Sequence, residues 1–244
     1  MLETAVLTSS SGGCGKTLLG AELARRGYVV LTASPITNYL NSYRVMERYE
    51  IYDALKAYVD EGACDRCGEC LEACTKGAIT EDFKVIEGLC EGCPACAYAC
   101  PRGAIKFKQT KGAEYEIIKV EEGFVIEVRV EPGLNELSYL LGLMGVARRL
   151  AEDNGIGTVL VETRARLPAQ KGLFFVRKHP GAEDQVKEFE LRSTGYERDA
   201  AVVVNVGLGD FDVNTSLKKF YMPHKEDPSF STFVEEVVEW LESR

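Results

Sequence analysis

Eight of the nine cysteines in this 244-residue chain fall between Cys64 and Cys100, in two runs of one spacing. The first is Cys64-x-x-Cys67-x-x-Cys70-x-x-x-Cys74; the second is Cys90-x-x-Cys93-x-x-Cys96-x-x-x-Cys100, followed by Pro101. Thiols this dense either bind metal or form a disulfide scaffold. Scaffolds of that kind belong to small secreted chains, and no targeting signal is read here, because the apolar start up to Thr8 feeds directly into a glycine-rich loop. Two C-x-x-C pairs also describe structural zinc, for which four thiolates suffice. The third and fourth cysteines, however, stand at the spacing of [4Fe-4S] ligation twice over, and the second run ends in Cys-Pro. In that pattern the fourth cysteine of each run serves the other run's cluster. The expectation is one cluster on Cys64, Cys67, Cys70 and Cys100, and a second on Cys90, Cys93, Cys96 and Cys74.

The two runs are copies of one unit. Cys64–Ile79 and Cys90–Ile105 match at each cysteine and again at Gly-Ala-Ile, with every matched pair 26 residues apart. Short loops would let three thiolates converge, and the helix-like turn that follows would carry the fourth across to the twin. The spacing thus predicts a small α+β ferredoxin-like domain over residues 64–106 with pseudo-twofold packing. Thr75 stands where a proline often follows the fourth cysteine, a difference in loop rigidity and not in ligation.

A second segment carries different chemistry. Leu2–Thr8 reads as a short buried strand, and Leu18–Arg26 has apolar residues at helical spacing. Between them runs Ser9-Ser10-Ser11-Gly12-Gly13-Cys14-Gly15-Lys16-Thr17. A strand, a glycine-rich loop ending in Gly-Lys-Thr, and a helix form a phosphate cradle. Backbone N–H groups of Ser11–Thr17 would wrap the phosphates of ATP or ADP, Lys16 would add a point charge, and the Thr17 hydroxyl would ligate Mg²⁺. The strict pattern wants glycine at Ser10. Cys14, the ninth cysteine, reads as a small loop residue.

Ser9–Thr17 resembles the deviant Walker A loop, S-G-K-G-G-x-G-K-T, of the MinD, ParA, Mrp and nitrogenase iron protein group, and the cysteine block resembles the ferredoxin insert of one of its branches. Ala21–Leu31 (AELARRGYVVL) resembles the group's first helix and second strand, and Thr158–Thr163 (TVLVET) its switch strand. Ala200–Asn205 (AAVVVN) resembles the strand whose final asparagine lies near the base. The resemblance implies a P-loop ATPase that works as a dimer, with Asn205 among the nucleotide-binding residues and Lys16 and Glu162 as catalytic candidates. The chain departs from the pattern at informative places. The lysine that reaches across a dimer to the partner's nucleotide is Ser11, the D-x-D after the second strand falls at Thr32 and Ser34, and the switch aspartate is Glu162, followed by Arg164-Ala165-Arg166. These departures imply weak hydrolysis at best. A homodimer would leave both sites incomplete, which points to a heterodimer with a paralogous P-loop ATPase.

The elements that must position these groups alternate. Strands are expected at 5–8, 28–32, 124–130, 157–162, 173–177 and 200–206, and helices at 17–26, 133–154, 182–191 and 231–242. The fold class is therefore α/β, a P-loop parallel sheet with helices on both faces. Residues 1–63 and 107–244 would form this discontinuous domain, interrupted by the insert. A Glu-Glu-Gly turn within Tyr115–Val130 predicts a hairpin, and the amphipathic C-terminal helix is expected to pack on the sheet. His179 and His224, each beside a proline, read as loop residues.

Hydrophobic residues make up 45% and charged residues 27% of the chain, as in globular proteins, and no apolar run approaches the ~20 residues of a membrane span. With 29 Lys+Arg against 38 Asp+Glu the net charge is −9, which opposes nucleic acid and anionic membrane surfaces. A cytoplasmic iron-sulfur protein is expected. Its function is read as nucleotide-gated electron transfer between redox partners; the alternatives are a non-hydrolysing regulatory subunit of a redox complex and a cluster carrier. The carrier of the resembled group holds its cluster on a C-x-x-C in the P-loop domain, and no cysteine follows Cys100 here.

Overall fold

The computed structural model describes residues 2–165 and 167–243. They divide into two compact units: residues up to 48 with 116–128 and 140 onward, and residues 49–115 with 129–139. The expected insert, 64–106, lies inside the second unit, which extends past it at both ends.

In the first unit the strands are β1 (Glu3–Thr8), β2 (Val29–Thr32), β3 (Arg44–Ile51), β6 (Ala113–Val120), β7 (Gly123–Val130), β8 (Thr158–Glu162), β9 (Ala169–Arg177), β10 (Tyr196–Asn205) and β11 (Lys218–Met222). The chain passes between the units along β3, β6, β7 and the helix Glu136–Asp153. The sheet order is β11-β10-β9-β1-β8-β2-β7-β6-β3. Every pairing from β11 across to β7 is parallel. Parallel strands bury both faces and so read as continuous apolar runs; Val202, Val203 and Val204 are all fully buried.

The helices are α1 (Lys16–Arg25), α4 (Glu136–Asp153), α5 (Ala182–Leu191) and α6 (Ser229–Glu242). One face of the sheet, with Leu7, Leu173, Phe175 and Val203, shares a core with Leu19 and Leu23 of α1 and Val234, Val237 and Trp240 of α6. On the other face Phe174 stacks on Phe189 of α5 at 4.8 Å between ring centres. The C-terminal helix thus packs on the sheet as its pattern predicts, with Trp240 edge-on to Phe220. Beneath it Lys171 is buried, and its ammonium donates to the carbonyls of Trp240, Leu241 and Ser243 at 2.5–3.1 Å. A cation placed there satisfies the orphan carbonyls of α6 and faces the negative end of its dipole. Burial holds its pKa below the ordinary lysine value.

The predicted hairpin is β6–β7, neighbours joined by Glu121 and Glu122. The elements the sequence reading lacks are β3, β11 and, in the second unit, the antiparallel pair β4 (Ala54–Val59) and β5 (Ile105–Thr110). The second unit also holds two short helices, α2 (Glu69–Ala73) and α3 (Ala95–Ala99), which stand 26 residues apart like the cysteines. Gly77 N donates to Cys74 O at 3.0 Å and Gly103 N to Cys100 O at 3.1 Å, so the backbone repeats with the sequence. At the matching position before α2 and α3, Arg66 and Gly92 both have positive φ. Only Gly92 is forced to be glycine: a Cβ there would stand 2.3 Å from Leu55 O.

Candidate nucleotide-binding and iron-sulfur sites

In an open α/β sheet the functional groups gather at the carboxyl ends of the strands. Here those ends are Thr8 and Ser9 on β1, Thr32 on β2, Glu162 on β8, Arg177 on β9 and Asn205 on β10. The loop after β1 turns through Gly13 (φ +70°) and Gly15 (φ +98°), backbone conformations that side chains disfavour. Gly15 is also crowded, since a Cβ would meet Met222 Cε at 2.6 Å and Asn205 Nδ2 at 3.2 Å. As the residue before α1 it offers no side-chain cap, which leaves the first amides of the helix for a ligand. Asn205 braces the loop by donating to Cys14 O at 3.1 Å. Cys14 is buried and packs its thiol 3.2 Å from Ser11 Oγ, inside the loop.

Lys16 is buried, with Nζ donating to Ser9 Oγ at 2.6 Å. Burial lowers its pKa below the ordinary lysine value; Glu162 and Cys14 oppose that push and Arg164 adds to it. The three departures at Thr32, Ser34 and Glu162 prove to be one cluster. Thr32 and Glu162 are register partners on adjacent strands. Glu162 Oε1 accepts from Thr17 Oγ1 at 2.6 Å and Ser34 Oγ at 3.1 Å, and Oε2 accepts from Thr32 Oγ1 at 2.8 Å. Where the resembled pattern has acids on the second strand, this chain has hydroxyls that donate to the acid of the neighbouring strand.

Two arginines join the site. Arg164 Nη2 lies 3.5 Å from where a Gly12 Cβ would stand, and Arg177 Nη1 3.8 Å from the equivalent point at Gly13. A charged residue ending a buried strand was the available signal for Arg177, but its approach to the loop depends on β9 lying beside β1. Arg166, two residues beyond Arg164, lies outside the described residues. His179 sits in a loop, its ring nitrogens 2.6 Å from Pro180 O and 3.0 Å from Gln185 Oε1. The His224 ring accepts a bond from Glu226 N at 3.4 Å.

In the second unit all eight cysteines are free thiols. Cys70, Cys90 and Cys96 are buried and share a core with Ala57, Ala78, Ile79 and Ile105, against which Cys74 and Cys100 pack. Burial pushes the Cys70 thiol above its ordinary pKa, and Cys100, Cys64 and Cys67 push it the same way. Burial likewise raises Cys96, joined by Cys74, Cys93 and Cys90. The neighbours of Cys70 thus include the last cysteine of the second run, and those of Cys96 the last cysteine of the first. Backbone amides address the sulfurs in matching places: Ala78 N lies 3.3 Å from Cys74 Sγ and Ala104 N 3.3 Å from Cys100 Sγ. That amide is the leading cause of a lowered Cys100 pKa. The second group has an extra feature in Lys56, buried, with Nζ donating to Cys90 O at 2.6 Å, and Ala57 N 3.4 Å from Cys90 Sγ. Among the described residues no three His, Cys, Asp or Glu side chains form a site for a single metal ion, and no helix is long and apolar enough to cross a membrane.

A family model described as 4Fe-4S binding domain matches residues 57–80, which include Cys64, Cys67, Cys70 and Cys74. No curated protein matches the chain. Among solved structures it is similar to the cell division ATPase MinD of Pyrococcus furiosus, with 14% identity over 99% of this chain and 100% of that one and a TM-score of 0.43. It is also similar to the MinC:MinD cell division complex of Aquifex aeolicus (16%, 96% and 86%, TM-score 0.38). A plasmid partition protein from Borrelia burgdorferi is a third (12%, 98% and 97%, TM-score 0.42). At these scores the likeness adds nothing to what the strand order and the loop after β1 establish. The chain joins a segment that matches a 4Fe-4S binding domain to a mostly parallel α/β unit with a glycine-rich loop between β1 and α1.

Proposed function

We propose that this chain is a nucleotide-binding electron-transfer protein, with two [4Fe-4S] clusters in the second unit and ATP or ADP with Mg²⁺ at the P-loop. The observation that supports the reading is the pair of identically spaced runs of free cysteines, with Cys100 among the neighbours of Cys70 and Cys74 among those of Cys96. Cys64, Cys67, Cys70 and Cys100 would hold one cluster and Cys74, Cys90, Cys93 and Cys96 the other. Such clusters supply one-electron transfer at potentials set by charge, hydrogen bonds to sulfur and exposure. The amides of Ala57, Ala78 and Ala104 are placed to stabilise the thiolate form by donating to sulfur.

At the nucleotide site the amides of Gly12–Thr17 and the Lys16 ammonium bind phosphate, and Thr17 is the hydroxyl for Mg²⁺. Glu162 is engaged by three hydroxyls, and Thr32 and Ser34 carry no charge to orient an attacking water. Turnover is therefore slow, and nucleotide acts by occupancy. The same cluster of bonds favours, as second reading, a regulatory subunit of a redox complex that binds nucleotide without hydrolysis. Free thiols of this kind fit a reducing cytoplasm, and the partners are redox proteins without strong negative charge.

The test is anaerobic purification followed by iron, zinc and sulfide analysis, EPR after reduction, and timing of electron delivery to an acceptor with and without MgATP. About eight iron atoms per chain and interacting S = 1/2 signals are expected, with a delivery rate that responds to nucleotide in the wild type and not in Lys16→Ala. Stoichiometric zinc without iron would overturn the cluster reading. A rate blind to nucleotide would leave only the regulatory one.

A further inference from the structure

We propose that Arg164 and Arg177 bring positive charge, from within the same chain, to the polyphosphate of a nucleoside di- or triphosphate at Gly12–Thr17. They take over the part of the loop lysine that Ser11 replaces, so that the site needs no second subunit. The proposal rests on the P-loop reading and deepens it.

The sheet order sets the geometry. The strand that feeds the loop, β1, lies between β9 and β8; an arginine ends β9, and another follows β8 in the loop at its carboxyl edge. Arg164, two residues past β8, stands over Gly12, and Arg177, the last residue of β9, stands over Gly13. The loop is flanked from both sides. Ser11 adds no charge, its hydroxyl being turned onto Cys14 Sγ at 3.2 Å.

Charge balance points the same way. Lys16 is buried a few residues along the loop, with a hydroxyl as its close partner. Neither Arg164 nor Arg177 has an ion pair or hydrogen bond among the described residues, in a chain that carries nine more acids than bases. The acid of the site, Glu162, is already held by Thr17, Thr32 and Ser34. Three cations around one loop repel each other until an anion sits among them. Guanidinium presents a planar fork matched to phosphate oxygens, and an arginine supplied from the same chain is an established way to stabilise a nucleotide's terminal phosphate. The alternative, a lysine from a paralogous subunit, makes the opposite prediction about stoichiometry.

The experiment is calorimetric titration of MgADP and MgATP into the full-length, cluster-loaded protein, with sedimentation at two protein concentrations. Wild type is compared with Arg164→Gln, Arg177→Gln, the double variant and Lys16→Ala. Both arginines are exposed, and unchanged circular dichroism and cluster absorbance will confirm that the variants fold. Expected are one nucleotide per monomer, a loss of about 10- to 100-fold in affinity for each Gln variant, and partial rescue by Arg177→Lys. If the Gln variants bind like wild type while Lys16→Ala does not, the arginine proposal falls and the P-loop stands. Binding that requires a second, lysine-bearing subunit also overturns it. If wild type binds neither nucleotide, the P-loop reading fails and takes this proposal with it.

Discussion

Glu162 is the residue on which the chemistry of the first unit turns. Its carboxylate accepts three hydroxyl bonds, and Thr32, its register partner, is fully buried. An acid at position 32 would need a cation or water between it and Glu162 to separate the charges. In this chain it would place a second carboxylate against Glu162. Thr32→Asp is therefore expected to destabilise the nucleotide-free protein by about 3 kcal/mol, the scale of an uncompensated buried charge, and Thr32→Asp/Glu162→Gln to recover much of that loss. Chemical denaturation of the three proteins checks it, and additive losses in the double variant would rule out the pairing. This cluster was half legible in the sequence. Each departure stands out against the loop motif, but their bonding follows from β2 lying beside β8. Arg177 and Lys171 were invisible for the same reason, since one ends a strand whose neighbour is β1 and the other sits under a helix about 70 residues away in the chain.

At the scale of elements, legibility followed burial. The strands with both faces covered, such as Val202–Val204, are continuous apolar runs that announce themselves, and α5 and α6 carry clear amphipathic stripes. The missed strands are those whose pattern is diluted. In β3, Arg44–Tyr49 are exposed throughout with charges among the apolar residues, and β11 begins with two lysines. The loop before β11 is held to α5 by side chains no spacing rule would pair. Glu190 accepts from Thr215 Oγ1 at 2.9 Å, from Ser216 N at 3.0 Å and from the Ser216 hydroxyl, while Glu183 takes Asn214 N at 3.2 Å. The Ser216 bonds, with Thr215, hold the Glu190 pKa below the ordinary glutamate value. A carboxylate depressed on folding adds stability above its unfolded pKa and loses it as pH falls through the lower folded value. Amide exchange at Ser216 is therefore expected to stay slow at neutral pH and to quicken only as pH falls below the ordinary glutamate value of about 4.3, once intrinsic exchange is accounted for. In Glu190→Gln it should be quick at both pH values; protection in that variant equal to wild type would remove the clasp.

The two units of the molecule differ in what holds them together. The first has a sheet with apolar residues buried on both faces and helices packed on it, a core that needs no metal. In the second, the buried core consists of Cys70, Cys90 and Cys96 with Ala57, Ala78, Ile79 and Ile105, edged by half-buried Val59, Leu71, Phe83, Val85 and Phe107, and only the β4–β5 ladder and two one-turn helices supply regular structure. So little apolar surface does not offset the entropy of ordering that segment, and small domains of this composition owe their folding to the groups their thiols bind. On the proposed reading the twin donor sets would act as the missing core, each cluster tying a residue of one repeat to three of the other. Removing iron from the intact chain by an anaerobic chelator is expected to release residues 54–110 while the sheet stays folded. Hydrogen exchange read by peptide should show fast exchange over 54–59 and 105–110 and unchanged protection over 3–8, 158–162 and 200–205. Restoring iron and sulfide should return the first set to slow exchange. Persistent protection of β4 and β5 without iron would mean that the small apolar core suffices by itself, and loss of protection in β1 and β8 would mean that the sheet, too, depends on the clusters.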